Sequence, residues 1–134
     1  MEATVQLVTE ENLDSKLHTL FLKSQQAIEL LNYDYAISLL HGILKDEPGF
    51  LKGREILRAA QGARARGQKK KLSLSGGMMK IKNLAKKDPL GAIEEIEKKL
   101  DSDPYNVEAN TVLYDAFMSL NMPDLASFAL ETVR

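Results

Sequence analysis

The stretch NYDYAISLLHGILKDEP, residues 32–48, is the most informative part of the sequence, because the spacing between its alanine and its proline returns later in the chain. The interval from Ala36 to Pro48 is the same as the interval from Ala92 to Pro104 in LGAIEEIEKKLDSDP. Two identical intervals in a short chain indicate internal repetition, and a repeat changes how every other segment is interpreted.

A third alanine turns the shared interval into a period. Ala126, in MPDLASFALETV, follows Ala92 at a spacing of about 34 residues, and a fixed period of this length is typical of helical-repeat proteins. We place each alanine at the twentieth position of its repeat unit. The predicted units are then 17–50, 73–106 and 107–134, and a basic insertion, 51–72, separates the first two.

Apolar periodicity predicts helices within these units. Leu17, Phe21 and Ile28 recur at four- and seven-residue steps and share one helix face. Asp103 and Pro104 predict the N-cap and first residue of a later helix. No window shows the sustained alternation of a strand, so the chain is predicted to be all-α.

These positions resemble the tetratricopeptide repeat, a helix-turn-helix unit with small residues at close contacts and a proline closing its second helix. The resemblance covers roughly 12–50 and 84–134, and it is looser at the first helices, where Lys23 replaces the usual leucine. It implies one domain, 1–134, folded as a short α-solenoid of antiparallel helix pairs with about six or seven helices. The residues that carry it are Leu20, Ser24, Ala27, Ala36, Leu40, Ile43 and Pro48 in the first unit, and Leu113, Tyr114, Phe117, Ala126, Leu130 and Val133 in the last.

The resemblance also implies a function: a non-catalytic scaffold that binds a peptide or a partner domain on the concave face of the repeats. Four first-helix positions of each unit would face this surface, and the acidic ones in the last unit would prefer a basic or amide-rich ligand. An alternative is that Phe21 and Ile28 are simply buried against an N-terminal segment. The implied partner-binding residues are His18, Phe21, Gln25 and Ile28 in the first unit, and Glu108, Thr111, Asp115 and Met118 in the last.

Charge is distributed in three blocks that nearly cancel to a net charge of −1. The range 52–87 holds most of the lysines and arginines and a single acidic side chain, Glu55, and both flanking blocks are acidic. One interpretation is a solvated surface with a loop at QKKKLSLSGG. The alternatives are electrostatic binding of nucleic acid or of an anionic membrane surface. The predicted basic patch consists of Arg64, Arg66, Lys69, Lys70, Lys71, Lys80 and Lys82.

Composition argues against catalysis. The chain has no cysteine and two histidines, and neither histidine has partners at the spacing of a triad or metal site. We therefore expect no enzyme activity, no cofactor and no metal. The acidic N-terminus lacks the features of a secretory signal, and no apolar run is long enough to span a membrane, so we expect a cytoplasmic location. The apolar final helix lacks a polar cap, which predicts either homo-oligomerisation there or further residues in a longer native protein.

Overall fold

A computed structural model of the protein describes residues 6–67 and 77–133, which belong to two compact units. Within the described residues there are seven α-helices and no β-strand, so the all-α prediction is confirmed. None of these helices is long and apolar enough to cross a membrane. The N-terminal unit holds a 3₁₀ helix (Glu10–Asn12), α1 (Ser15–Glu29), α2 (Tyr33–Asp46) and α3 (Leu51–Arg66), and the C-terminal unit holds α4 (Met78–Lys87), α5 (Pro89–Leu100), α6 (Val107–Ser119) and α7 (Pro123–Thr132).

In the N-terminal unit, α2 packs against both α1 and α3. Phe21 and Phe50 meet edge to face at the centre of the core, with ring centroids 4.9 Å apart. Gly53 on α3 permits this arrangement, because a Cβ atom there would lie 2.5 Å from the Phe50 ring. The helix α3 covers residues 51–66 and so includes most of the predicted insertion, 51–72. Its Leu57 and Ala60 side chains are buried.

In the C-terminal unit, consecutive helices pack against each other from α4 to α7. The short helix α4 is amphipathic: Met78 and Ile81 are buried, whereas Lys80 and Lys87 are exposed. The core beneath it consists of apolar side chains from all four helices. The solenoid and the single domain that the resemblance implies stay predictions.

The three alanines that set the period are buried in the helices expected to hold them. Ala36 lies on α2, Ala92 on α5 and Ala126 on α7, and all three have 0% exposure. A methyl side chain lets two helix axes approach closely, which a longer side chain would prevent. The predicted alanine register therefore coincides with buried helix positions in both units.

The turns that follow α1 and α6 have the same geometry. Leu31 (φ 62°) and Asn121 (φ 59°) are both left-handed, and their separation in the chain equals two repeats plus the insertion. The amide of Asn32 donates to the Ala27 carbonyl (2.8 Å), and the amide of Met122 donates to Phe117 in the same way (2.9 Å). Each is a Schellman turn that closes the first helix of a pair.

One predicted helix start is wrong. Asp103 and Pro104 lie in a turn, and α6 begins at Val107, with the Asn106 side chain accepting a hydrogen bond from the Ala109 amide at 2.8 Å. The Asp103 carboxylate instead accepts from the side-chain amide of Asn106 at 3.3 Å, which orients the residue that caps the helix.

The arrangement predicted for Asp103 and Pro104 occurs at the start of α5. The Asp88 carboxylate accepts a hydrogen bond from the Gly91 amide at 3.0 Å, and Pro89 is the first helical residue.

Leu31→Asn should stabilise the N-terminal unit by about 0.5–1 kcal/mol, because asparagine tolerates the left-handed conformation better than leucine. Leu31 is 71% exposed, so the substitution removes little packing. The reciprocal change, Asn121→Leu, should destabilise the C-terminal unit by a similar amount. Urea denaturation of the two variants checks both signs, and a destabilised Leu31→Asn chain would contradict this account of the turn.

Ala92→Leu should overpack the contact of α5 and lower the free energy of unfolding by about 1–3 kcal/mol. Glu94→Leu, two positions further along on the exposed face of α5, is the matched control and should change stability little. Thermal denaturation that does not distinguish the two variants would argue against the alanine register.

Candidate functional site

A groove of about 710 Å³ lies between α4 and α6 in the C-terminal unit. Its α4 wall includes the basic side chains, and its α6 wall includes the acidic ones. The residues that line it are Met79, Lys82, Asn83, Ala85, Lys86, Pro89, Glu108, Thr111, Val112, Asp115, Ala116 and Ser119.

Apolar groups form much of the groove surface. Val112 and Ala116 are buried side chains of α6, and Ala85 and Pro89 contribute half-buried surface from the end of α4 and the start of α5. Met79 lies at the groove with 70% of its surface exposed. An exposed methionine beside an apolar depression is a flexible group that adapts to different apolar side chains.

The charged groups of the groove are only partly paired. Lys82 Nζ lies 2.8 Å from Glu108 Oε2, so one ion pair joins α4 to α6. Lys86 and Asp115 also line the groove, and within residues 77–133 neither forms an ion pair. Asn83 adds an exposed side-chain amide, which has both a donor and an acceptor.

The Thr111 and Ser119 hydroxyl groups that line the groove donate hydrogen bonds within α6. Thr111 Oγ1 donates to the Val107 carbonyl at 2.8 Å, and Ser119 Oγ donates to the Ala116 carbonyl at 2.8 Å. Each hydroxyl therefore makes a local helix contact, whereas the hydroxyl of an activated nucleophile donates to a neighbouring base.

Three of the four predicted binding residues of the last unit line this groove: Glu108, Thr111 and Asp115. Met118 is on the same helix and 46% exposed, but it is not part of the lining. Lys82, which the sequence assigned to a basic patch, is in the groove and paired with Glu108. Lys82, predicted for a basic patch, and Glu108, predicted for a partner-binding surface, therefore belong to the same groove.

The four predicted positions of the first unit do not form a comparable surface. Phe21 is completely buried in the core, as the alternative interpretation predicted, so it offers no contact to a partner. Ile28 is half-buried and packs against the same core, and Gln25 is half-buried. The His18 imidazole lies 3.4 Å from a Glu10 carboxylate oxygen.

The described residues of the predicted basic patch lie in different environments. Arg64 Nη1 donates to Asp34 Oδ1 at 2.8 Å, which ties the end of α3 to α2. Arg66 and Lys80 are exposed. Three of the predicted members, Lys69, Lys70 and Lys71, lie outside the described residues, so the nucleic-acid and membrane alternatives stay predictions.

Two arginines of the basic segment are buried, which the sequence interpretation missed. Arg54 is 2% exposed and donates from Nε (3.1 Å) and Nη2 (2.9 Å) to the Pro48 carbonyl. Arg58 is 5% exposed and donates to Gln61 Oε1 at 2.5 Å. The available signal was their helical spacing: Arg54, Leu57, Arg58 and Gln61 recur at three- and four-residue steps, so they share a face.

Other chemical signals are sparse in the described residues. No three histidine, aspartate or glutamate side chains in 6–67 and 77–133 cluster as a metal site requires. The pKa of Glu11 lies below its ordinary value, chiefly because its carboxylate is hydrogen-bonded to its own backbone amide, and this side chain is exposed.

No protein-family model, curated protein or solved structure matches this chain. The resemblance to tetratricopeptide repeats therefore stays a prediction based on the alanine and proline spacing.

The ion pair across the groove should contribute little to folding. Its two side chains are 41% and 49% exposed, and pairs of this kind typically contribute about 0–1 kcal/mol. A double-mutant cycle with Lys82→Gln and Glu108→Gln should give a coupling free energy in that range, which decreases as salt is added. A coupling several times larger would show that the pair holds α4 in place.

Proposed function

We propose that the protein is a non-catalytic interaction module and that it binds a peptide segment of a partner protein in the groove between α4 and α6. The observation that carries this proposal is the combination of an apolar surface at Val112 and Ala116 with two charged groups, Lys86 and Asp115, that form no ion pair within residues 77–133. Sites with this composition bind apolar side chains and orient them through a few polar contacts.

Size supports a peptide rather than a flat protein surface as the ligand. A volume of about 710 Å³ falls within the range of roughly 300–1,000 Å³ that is usual for ligand pockets. Such a groove accommodates a few side chains of a short segment. The amide of Asn83 is placed to hydrogen-bond with the backbone of that segment.

Charge defines the ligand further. Lys82 and Glu108 neutralise each other, so their net effect on a ligand is small. Lys86 favours an acidic side chain, and Asp115 favours a basic one. The preferred peptide therefore carries an apolar residue flanked by charges of opposite sign. The sequence alone suggested a basic or amide-rich ligand, because it considered the α6 carboxylates without the lysines that face them.

Binding explains the groove better than catalysis does. Its hydroxyl groups donate to carbonyls of their own helix, and the two histidines of the chain belong to the N-terminal unit. A groove whose described hydroxyls are not paired with a base has the groups needed to hold a ligand but not those needed for general acid–base chemistry.

The proposal predicts that Thr111→Arg blocks the groove. Thr111 is exposed, so a long side chain there should obstruct ligand access without disturbing the core. Peptides should first be selected from a random library against the complete chain. Their dissociation constants should then be measured by fluorescence anisotropy with the unmodified chain and with Thr111→Arg, and we expect at least about a tenfold loss, equivalent to roughly 1.4 kcal/mol.

Ser127→Arg is the matched control. Ser127 is exposed on α7 and is not part of the groove lining, so the same added charge and bulk should change affinity by less than about twofold. Equal affinities for the unmodified chain and Thr111→Arg would contradict the proposed site.

A further inference from the structure

The N-terminal segment, residues 6–12, contacts the N-terminal unit in the way a bound peptide would. Val8 pairs in parallel with Phe50, and its amide donates to the Gly49 carbonyl at 2.9 Å. The Val8 side chain packs against the core cluster that contains Phe50. One extended residue therefore combines a backbone hydrogen bond with an apolar contact, as in peptide binding by strand addition.

Glu10 adds a charged contact to two different helices. Its Oε1 atom lies 3.1 Å from Lys52 Nζ on α3, and its Oε2 atom lies 3.4 Å from His18 Nε2 on α1. The face under the segment thus has an apolar floor that includes Phe50 and a rim that carries Lys52 and His18. Such a face suits an apolar side chain followed closely by a carboxylate.

The segment is attached at few points. In the described residues, the amide of Val8 donates to Gly49, and the amide of Asn12 donates to Thr9 within the segment. The amide of Leu13, the first core residue after the segment, donates to the Glu10 carbonyl. Both ion pairs of Glu10 are solvent-accessible, and pairs of this kind hold a segment weakly. Segments with so few buried contacts open at free energies well below that of global unfolding.

We propose that the N-terminal segment is a displaceable internal ligand and that the face beneath it is a second peptide-binding site, independent of the groove between α4 and α6. Its ligand is a partner segment that places an apolar residue where Val8 lies and a carboxylate two residues later. The backbone amide of the partner segment donates a hydrogen bond to the Gly49 carbonyl, and its carboxylate pairs with Lys52 and His18.

The test uses a fluorescent peptide of residues 6–12, QLVTEEN, as the probe. It is titrated against the complete chain, against a chain that starts at Leu13, and against the complete chain carrying Val8→Asp, which places a charge in the apolar contact. We expect at least about tenfold tighter binding to the last two proteins, because in both of them the internal segment no longer occupies the face.

Two variants of the probe peptide distinguish specific recognition of Glu10 from a general effect of negative charge on binding. The peptide with Glu10→Gln should bind roughly threefold or more weakly, because it loses both ion pairs. The peptide with Glu11→Gln is the matched control and should bind within about twofold, because that side chain is exposed and its attraction to Lys52 is the smallest of the causes that act on its pKa. Equal losses for the two peptides would overturn the proposed recognition of Glu10.

A chain starting at Leu13 that keeps its helical circular dichroism but binds the probe no better than the complete chain would overturn the proposal. If the shortened chain and Val8→Asp both fail to fold, hydrogen exchange of the unmodified chain decides. Exchange of the Val8 amide at least about 100-fold faster than that of Leu40 supports a displaceable segment. Equal rates would show that it is part of the core and would overturn the proposal.

Discussion

Helix packing around three buried alanines underlies the fold of both units. Ala36, Ala92 and Ala126 have no exposed surface, and each lies on a helix that packs against its neighbours in the chain. Because protein interiors are close-packed, a longer side chain at these positions is expected to overpack them. The Schellman turns at Leu31 and Asn121 connect α1 to α2 and α6 to α7, and the helices of each pair pack against each other. In the C-terminal unit, α5 supports both α4 and α6, and the groove lies between those two helices.

Local patterns predicted the helices well. Leu57 and Ala60 on α3, and Met78 and Ile81 on α4, each lie three residues apart, a spacing that places both members of a pair on one helix face, and all four are buried. The start of α6 was harder, because Asp103 and Asn106 are both good N-cap residues. Which of the two caps α6 depends on the hydrogen bond between their side chains, and N-cap preferences do not describe that contact.

The candidate site depended on contacts between residues distant in the chain. Lys82 and Glu108 are 26 residues apart, so sequence blocks of opposite charge gave no indication that these two side chains pair. Phe21 has the spacing of a groove residue, but it is buried because Phe50 packs against it within the core cluster of the N-terminal unit. Such contacts are set by tertiary packing, which a single helix pattern does not contain.

The basic segment illustrates how differently a charge run can be used once it folds. Arg54 donates from Nε and Nη2 to a backbone carbonyl inside the N-terminal unit, and Arg64 pairs with Asp34. Lys82 is committed to Glu108, whereas Lys86 is available to a ligand. Buried arginines of this kind contribute to specific packing rather than to a surface potential. The net charge of the segment therefore overstates the positive surface that it presents.

A map of amide chemical shifts in the ¹⁵N-labelled chain, recorded during titration with a selected peptide, tests whether the peptide binds in the groove between α4 and α6. We expect the largest changes on the two walls of the groove, at residues such as Asn83, Val112 and Asp115. Changes that centre instead on the outer face of α7, or that leave α4 and α6 unaffected at saturation, would contradict binding in the groove.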